Sequence, residues 1–375
     1  MACTNRRHHR MIPAWKIQRE LETLSQQLQS LPERLIGPAR QRRLDREFPA
    51  SVRVDEGGAP LTDKVAIFLV YQPHGMAASV LATCQHLARQ GYAVLLVANT
   101  PVSAEDRQAL GSVVWRFAER RNFGYDFGGY RDGIRLLWSW SVTPEHLVIL
   151  NDSVWFPLTP GDTLIASLER SPAGFTGALR YVDYPGSDAP RAGIFLSYFF
   201  LIKRAVLTSP VFIDYWEHYV CTSNKYLTVR RGERGFSRAL FDAGIDGEGL
   251  YSRDRLLDAL ERQSMEVLAL TLTYAAYTDA GFQRERDRLL AQPRRTAAWR
   301  QQVLDHIHAV VAKRNFHSSF CYATIRLLGV PLLKKNKGEL QVRMRRQYLR
   351  AVEAGDLPAP PRAILDEIVA SVGAA

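Results

Sequence analysis

Residues 146–153 read His-Leu-Val-Ile-Leu-Asn-Asp-Ser. An apolar run that ends in an amide, a carboxylate and a hydroxyl has the pattern of a buried strand delivering polar groups at its carboxyl end. In α/β folds that end borders the ligand crevice. Asp152, between the oxygen-bearing Asn151 and Ser153, is a partial shell for a hard divalent cation, Mg²⁺ or Mn²⁺, with diphosphate oxygens and water completing it. The same residues also suit an Asx-turn or a helix N-cap, and both readings stay open here. Upstream, 121–129 (Arg-Asn-Phe-Gly-Tyr-Asp-Phe-Gly-Gly) is a turn-forming stretch that leads into an amphipathic helix carrying Ile134, Leu137 and Trp138.

These residues need a scaffold, and the preceding chain supplies one. Residues 65–71 are an uninterrupted apolar run suited to a central parallel strand. Pro73-His74-Gly75 turns it into a helix with Ala77, Val80, Leu81, Cys84, Leu87 and Ala88 on one face, and Gly91 follows as the C′ residue. A second strand at 92–98, a helix near 104–110 and a strand at 113–117 continue the alternation. Neither GxGxxG nor GxxxxGK[ST] occurs, so the scaffold is not a dinucleotide-type Rossmann site or a P-loop. Toward the C-terminus, helices are expected at 303–311, 321–328 and 340–351. Near the N-terminus, Trp15, Ile17, Leu21, Leu24, Leu28 and Leu31 have helical spacing, with Pro32 and Pro38 as stops. That helix is expected to dock on the core or pair with a second copy. The expected organisation is a basic helical arm and linker (1–60), a catalytic domain (61–290) and a helical C-terminal segment (291–375) that completes the site.

The chain has 375 residues and a net charge of +11, with a pI near 9.6. Such an excess favours an anionic partner. The basic clusters lie at 6–10, 40–46, 284–300 and 334–350, bracketing the chain, without interleaved aromatics or a helix-turn-helix pattern. A solvated surface or contact with anionic lipid is expected rather than nucleic acid. No apolar run reaches the ~18 residues of a membrane span. The N-terminus has charge but no apolar core of a secretory signal. Cys3, Cys84, Cys221 and Cys321 are widely spaced, as expected for reduced thiols in a cytoplasmic protein.

The 121–134 and 147–157 motifs together resemble the rhamnan synthesis protein F family of bacterial polysaccharide assembly. Ser197-Tyr198-Phe199-Phe200, Phe212-Ile213-Asp214-Tyr215-Trp216, Asn315-Phe316-His317-Ser318 and Gly329-Val330-Pro331-Leu332-Leu333-Lys334 follow in the same order. The likeness covers about residues 63–337. It implies a glycosyltransferase with a GT-A-like, Rossmann-type mixed sheet flanked by helices, using nucleotide-activated sugars such as dTDP-L-rhamnose. The order Arg121-Asn122-Phe123-Gly124, Asn151-Asp152-Ser153, strand 195–202 and Glu233 is also similar to that of inverting GT-A enzymes. Three positions depart from these patterns. Ser153 stands where a second carboxylate is expected, Arg234 replaces the acid of a Glu-Asp pair, and Gly174 begins a segment that elsewhere starts with Asp.

What the resemblance implies is residue-specific. Asp152 is the metal or diphosphate contact, supported by Asn151 and Ser153. Asn122, Gly124, Tyr125, Asp126 and Arg131 line the nucleotide side, and Lys334 meets the donor. Glu233 is the candidate base, with Asp183 second, because an inverting transfer must deprotonate the acceptor hydroxyl. His317 is expected to meet the leaving diphosphate, whereas Tyr198, Phe199 and Trp216 are expected to pack in the core. The acceptor is a glycan or a polyprenyl-diphosphate-linked saccharide, which would bring the protein to the inner face of the plasma membrane. Rival readings keep the fold with UDP-galactofuranose or another UDP-sugar, or make the chain a non-catalytic sugar-nucleotide-binding assembly subunit.

Overall fold

A computed structural model describes residues 25–159, 161–181, 193–293 and 296–373. Among the described residues there are eleven strands: β1 (Arg53–Glu56), β2 (Lys64–Val70), β3 (Ala93–Ala98), β4 (Arg116–Glu119), β5 (His146–Asn151), β6 (Val154–Trp155), β7 (Phe175–Tyr181), β8 (Ile194–Phe195), β9 (Phe199–Lys203), β10 (Gly247–Tyr251) and β11 (Leu333–Lys334). A nine-stranded mixed sheet runs in the order β1-β4-β3-β2-β5-β9-β7-β10, with β8 beside β7, and β6 and β11 form a separate ladder. Strands β4, β3, β2 and β5 are parallel. β9 is inserted antiparallel between β5 and β7. The fold is the mixed α/β class expected from the sequence.

The continuous apolar reading of β2 has a direct cause: both faces of the strand are covered. Ala66, Phe68 and Val70 enter one core cluster, and Val65, Ile67 and Leu69 enter the other. The first contains Val80 and Leu87 of the helix Ala78–Arg89 together with Val303, Ile307, Tyr348 and Ile368 of the C-terminal helices. The stretch 291–375 therefore shares its core with the sheet. The second contains Ile134 and Leu137 of the helix Tyr125–Ser139, with Phe212, Trp216 and Phe236 beyond it. Gly129 lets that helix lie directly on β2, because a Cβ there would stand 2.4 Å from Leu69 Cδ1.

Several sequence expectations shift. The N-terminal helix is described only from residue 25. Pro32 opens the helix Leu31–Glu47 instead of stopping one, and Pro38 lies inside it. A proline in the first turn loses no intrahelical bond, since that N–H has no partner anyway. Within the stretch expected as arm and linker, β1 pairs with β4, and Gly57 N–H donates to Trp115 O at 2.7 Å. The strand expected at 113–117 begins later, at Arg116. The strand expected at 195–202 is broken into β8 and β9, with Ser197 and Tyr198 in the break. The helices Ala297–Val311, Cys321–Leu328 and Glu339–Glu353 fall where expected, and Arg362–Gly373 is added. Cys84, Cys221 and Cys321 are free and buried. Among the described residues, no helix is long and apolar enough to cross a membrane.

Candidate functional site

From β2 the chain moves outward to β3 and β4, then returns to place β5 on the opposite side of β2. That reversal opens a crevice at the carboxyl ends of β2 and β5, the place where open α/β sheets take their ligands. Asn151 and Asp152 leave β5 at this point. Asp152 N–H extends the ladder to Leu69 O at 3.0 Å.

The two side chains serve different neighbourhoods. Asn151 Oδ1 accepts from Ser153 N–H at 3.0 Å, which is the Asx-turn alternative. Its Nδ2 is left to donate to Asp126 Oδ2 at 3.1 Å and to Tyr130 Oη at 2.9 Å. Asp126 Oδ2 also accepts from Ser197 Oγ at 3.2 Å. Glu233 Oε1 accepts from Ser197 Oγ at 2.6 Å and from Ser197 N–H at 3.2 Å. Tyr130 Oη in turn donates to Ser197 O at 2.7 Å. Lys334 completes the group, its Nζ 4.0 Å above the Tyr198 ring. Asp126, Asn151, Glu233 and Lys334, all expected site residues, thus come from four separate parts of the chain to one cluster around Ser197 and Tyr198.

Local structure explains how they arrive. Asp126 sits in the first turn of Tyr125–Ser139. Arg120 braces the preceding loop, donating to Asp132 Oδ2 and Asn99 Oδ1, both at 2.6 Å, and to Phe123 O at 2.8 Å. Glu233 lies in a π-helical turn, Arg230–Arg234. Such turns are uncommon and concentrate at functional sites. Gly232 within it packs on Phe127, where a Cβ would come within 2.5 Å of the ring. The break between β8 and β9 exposes Ser197 N–H and Oγ to Glu233, and pairing of Lys334 with Val154 across the β6–β11 ladder brings in the lysine.

Burial dominates the electrostatics. It raises Asp126 above the ordinary carboxylate range; the Ser197 bond opposes this and the Glu233 charge reinforces it. Lys334 is lowered by burial, against the attraction of Glu233 and Asp126. In a poorly hydrated site, carboxylates and an ammonium held apart from direct pairing are suited to act on a bound polar substrate.

The other side of the β5 terminus is tied up differently. Asp152 Oδ2 accepts from Tyr71 N–H at 2.9 Å and Gln72 Nε2 at 2.6 Å, joining the ends of β5 and β2. Lys335 donates to Ser79 Oγ at 2.9 Å and lies 3.7 Å from Glu367 Oε2. Among the described residues, no three His, Cys, Asp or Glu side chains are grouped to hold a metal ion. One Asp152 oxygen is thus committed to two donors, with Lys335 nearby, so the divalent cation expected there would meet no preformed shell of protein ligands among the described residues and would rely on diphosphate oxygens and water.

The remaining expected residues are placed as follows. Arg131 is buried and fully engaged: it donates to Trp216 O and Glu217 O, both at 2.8 Å, and pairs with Asp45 at 2.7 Å. It clamps the helix Leu31–Glu47, and all three of its guanidinium nitrogens are engaged by the fold. His317 is buried, with Nδ1 2.7 Å from Thr324 Oγ1 and Nε2 3.0 Å from Leu332 O. Burial lowers it to about 4, so it is a neutral brace for the segment before Lys334 and not a diphosphate contact. Asn122 is exposed, Gly124 has φ 88°, and Tyr125 Oη donates to Ser223 O at 3.1 Å. Asp183 lies outside the described residues. Tyr198, Phe199 and Trp216 are buried, as expected for packing. Gly174 is at the amino end of β7, where a Cβ would stand 2.6 Å from Val206 Cγ2, leaving no room for an acid. Ser197 and Tyr130 were missed as site residues. Ser197 lay within a recognised motif, but only the strand break reveals its role.

A cavity of about 860 Å³ lies along the free edge of β10, lined among others by Arg180, Glu248, Arg253 and Arg314. None of the Ser197 group lines it, and convergence of chemistry weighs more than volume in locating the site.

Comparison with known proteins follows the same direction. The family described as rhamnan synthesis protein F matches residues 94–271. An uncharacterised protein of Sinorhizobium fredii, y4gN, is 33% identical over 273 residues, covering 72% of this chain and 70% of that one. Among solved structures, the mannosyltransferase PcManGT from Pyrobaculum calidifontis, determined with GDP-Man and Mn²⁺, is 11% identical and covers 88% of this chain and 98% of its own, with a TM-score of 0.30. The apo glycosyltransferase GlyE of Streptococcus pneumoniae is 14% identical over 50% of this chain and 45% of its own, also at 0.30. Likenesses this distant carry no chemistry across. The motifs around Asp126 and Asn151 lie inside the matched segment, and on that match and the y4gN relationship this chain belongs to the rhamnan synthesis protein F family.

Proposed function

We propose that the protein is a glycosyltransferase that moves L-rhamnose from dTDP-L-rhamnose, with inversion, onto a bacterial cell-surface polysaccharide acceptor. The observation that carries this reading is the convergence of Asp126 and Glu233 on Ser197, with Lys334 over the neighbouring Tyr198 ring, at the sheet's switch point. Family membership supports the substrate class. The other expected partners, a polyprenyl-diphosphate-linked acceptor and an anionic membrane surface, belong to the same proposal.

In the proposed reaction the acceptor hydroxyl attacks the anomeric carbon. The new C–O bond forms as the bond to the diphosphate oxygen breaks, and that oxygen takes the electron pair. Glu233 receives the hydroxyl proton. Ser197 holds the Glu233 carboxylate in one orientation, so the base is aimed before substrate arrives. Asp126, held in place by Asn151, offers a hydrogen-bonding group to sugar hydroxyls, and Lys334 offsets negative charge as the diphosphate leaves.

The test is to incubate the protein with dTDP-L-rhamnose, UDP-galactofuranose and GDP-mannose, each with a rhamnose-terminated oligosaccharide acceptor. Transferred sugar and released nucleoside diphosphate are then measured. Selective transfer from dTDP-L-rhamnose with an inverted product linkage is expected. Selective transfer from a UDP-sugar would replace the donor, and absence of both binding and turnover would favour an assembly subunit.

A further inference from the structure

Two of the basic clusters of the sequence, 284–300 and 334–350, meet in space. Arg286 on the helix Ala280–Leu290 and Arg343, Arg346 and Arg350 on the helix Glu339–Glu353 line one open pocket of about 470 Å³. Among the described residues that line it, these four arginines share the pocket with a single acid, Asp287.

The four are held differently. Arg286 donates from Nε and Nη2 to Asp287 Oδ1 at 2.9 and 2.7 Å, with its Cζ 5.9 Å from the centre of the Tyr277 ring. Arg343 donates from Nη1 to Tyr277 O at 2.8 Å and from Nη2 to Glu339 Oε1 at 2.7 Å. These two are fixed and charge-matched. Arg350 donates only to Gln347 Oε1, at 3.0 Å, and Arg346 only to Val372 O, at 3.4 Å, so neither meets a carboxylate among the described residues. Asp356, just beyond the helix, accepts from Tyr274 Oη at 2.5 Å.

That arrangement departs from the rest of the surface. Elsewhere, helical arginines are matched with acids three or four residues away: Arg43 with Glu47, Arg238 with Asp242, Arg288 with Glu285 and Arg362 with Asp366. Arg346 and Arg350 are instead four residues from each other, a like-charge spacing that weakens a helix.

We propose that the pocket binds a phosphoryl group carrying two or more negative charges, as in a diphosphate or a phosphate monoester. Two unmatched guanidinium groups balance a dianion, and their forked donors suit its tetrahedral oxygens. Gln347, with Oε1 taken by Arg350, keeps its amide N–H groups to donate. A single carboxylate would leave one arginine unmatched. The same helix turns Arg345 inward, where it is buried and donates to Lys334 O at 3.1 Å and Asn336 O at 2.8 Å. The element that presents the pocket therefore also holds the strand that carries Lys334. The proposal does not depend on the transferase reading.

The test measures pyrophosphate binding to the full chain by calorimetry, with thermal melts as a folding control. The wild type is expected to bind, more weakly as salt rises. Arg346→Gln/Arg350→Gln alters only exposed side chains. It is expected to keep its melting temperature and lose about 20-fold in affinity. Arg238→Gln/Arg362→Gln removes the same charge outside the pocket and is expected to bind as the wild type does. Failure of the wild type to bind overturns the proposal, as does an equal loss in the two double variants. Loss in Lys334→Gln without loss in Arg346→Gln/Arg350→Gln would place the anion in the crevice and also overturn it. Sedimentation with phosphatidylcholine vesicles, with and without phosphatidic acid, separates the sources of the phosphate. Capture that requires phosphatidic acid and is lost in Arg346→Gln/Arg350→Gln identifies a lipid headgroup, whereas pyrophosphate binding without capture identifies a soluble phosphate.

Discussion

The two sides of the β5 terminus are built from similar materials to opposite ends. Each has carboxylates and a half-buried lysine, and the lysines are sequence neighbours. On the Asp152 side the polar bonds bind structural elements together: β5 to β2 through Tyr71 and Gln72, and the end of β11 to the helices Ala78–Arg89 and Arg362–Gly373 through Lys335. On the Asn151 side Asp126 and Glu233 converge on one hydroxyl, while Lys334 lies over an aromatic ring. Strand alternation is the cause, since consecutive residues leave a strand in opposite directions. The comparison teaches that conspicuous acidity at a strand end does not identify the reacting side. What distinguishes it is whether the polar groups are used up holding the fold.

The sharpest way to break this comparison is Glu233→Gln. If Glu233 is the base, transfer falls by about 10³-fold while donor affinity, read by calorimetry, changes little. A fall below tenfold would remove Glu233 from the chemistry.

His317 gives the next largest effect. Its pKa falls from 6.5 to about 4 on folding, so between these values the unfolded chain binds more protons. Stability is then full above the unfolded value and is lost as pH drops through this window, by about 3 kcal/mol in all. Denaturant melts of wild type and His317→Gln across that range should show a shallower pH dependence in the variant. Equal slopes would mean that His317 does not carry the linkage.

Asp152→Ala should cost about 2 kcal/mol of stability, because Tyr71 N–H and Gln72 lose a buried acceptor. Turnover per folded molecule should stay within a few-fold. A large loss of turnover without loss of stability would reverse the assignment of the two sides.

Asp126→Asn should move in the opposite direction. Its raised pKa means that the ionised form is held at a cost in the folded state, so stability declines as pH rises from the unfolded value toward the folded one. The neutral variant should gain about 1 kcal/mol at neutral pH while transfer declines. Destabilisation would show that the charge is needed structurally.

Much of the scaffold was legible because its causes are local. The apolar run of β2 reported a strand covered on both faces, and the Asn-Asp-Ser exit reported a strand end. Asp126, Asn151, Glu233 and Lys334 could each be named from motifs. Arg131 and His317 were misread because motif order says nothing of orientation. Arg131 points to Asp45 and the carbonyls of Trp216 and Glu217, and His317 spends both nitrogens inside the fold. Ser197 was hidden because a single hydroxyl among the apolar residues of 195–202 reads as one position of a continuous strand, and the spelling does not show the break there.

By itself, the sequence determined the α/β alternation and the family, since each rests on side-chain type at short, regular intervals. Tertiary structure decided which polar groups are spent and which are gathered. The insertion of β9 against β5, the π-helical turn at Glu233 and the β6–β11 ladder bring together residues more than a hundred positions apart, and in a crevice with little water their hydrogen bonds depend on fractions of an ångström that no local pattern records.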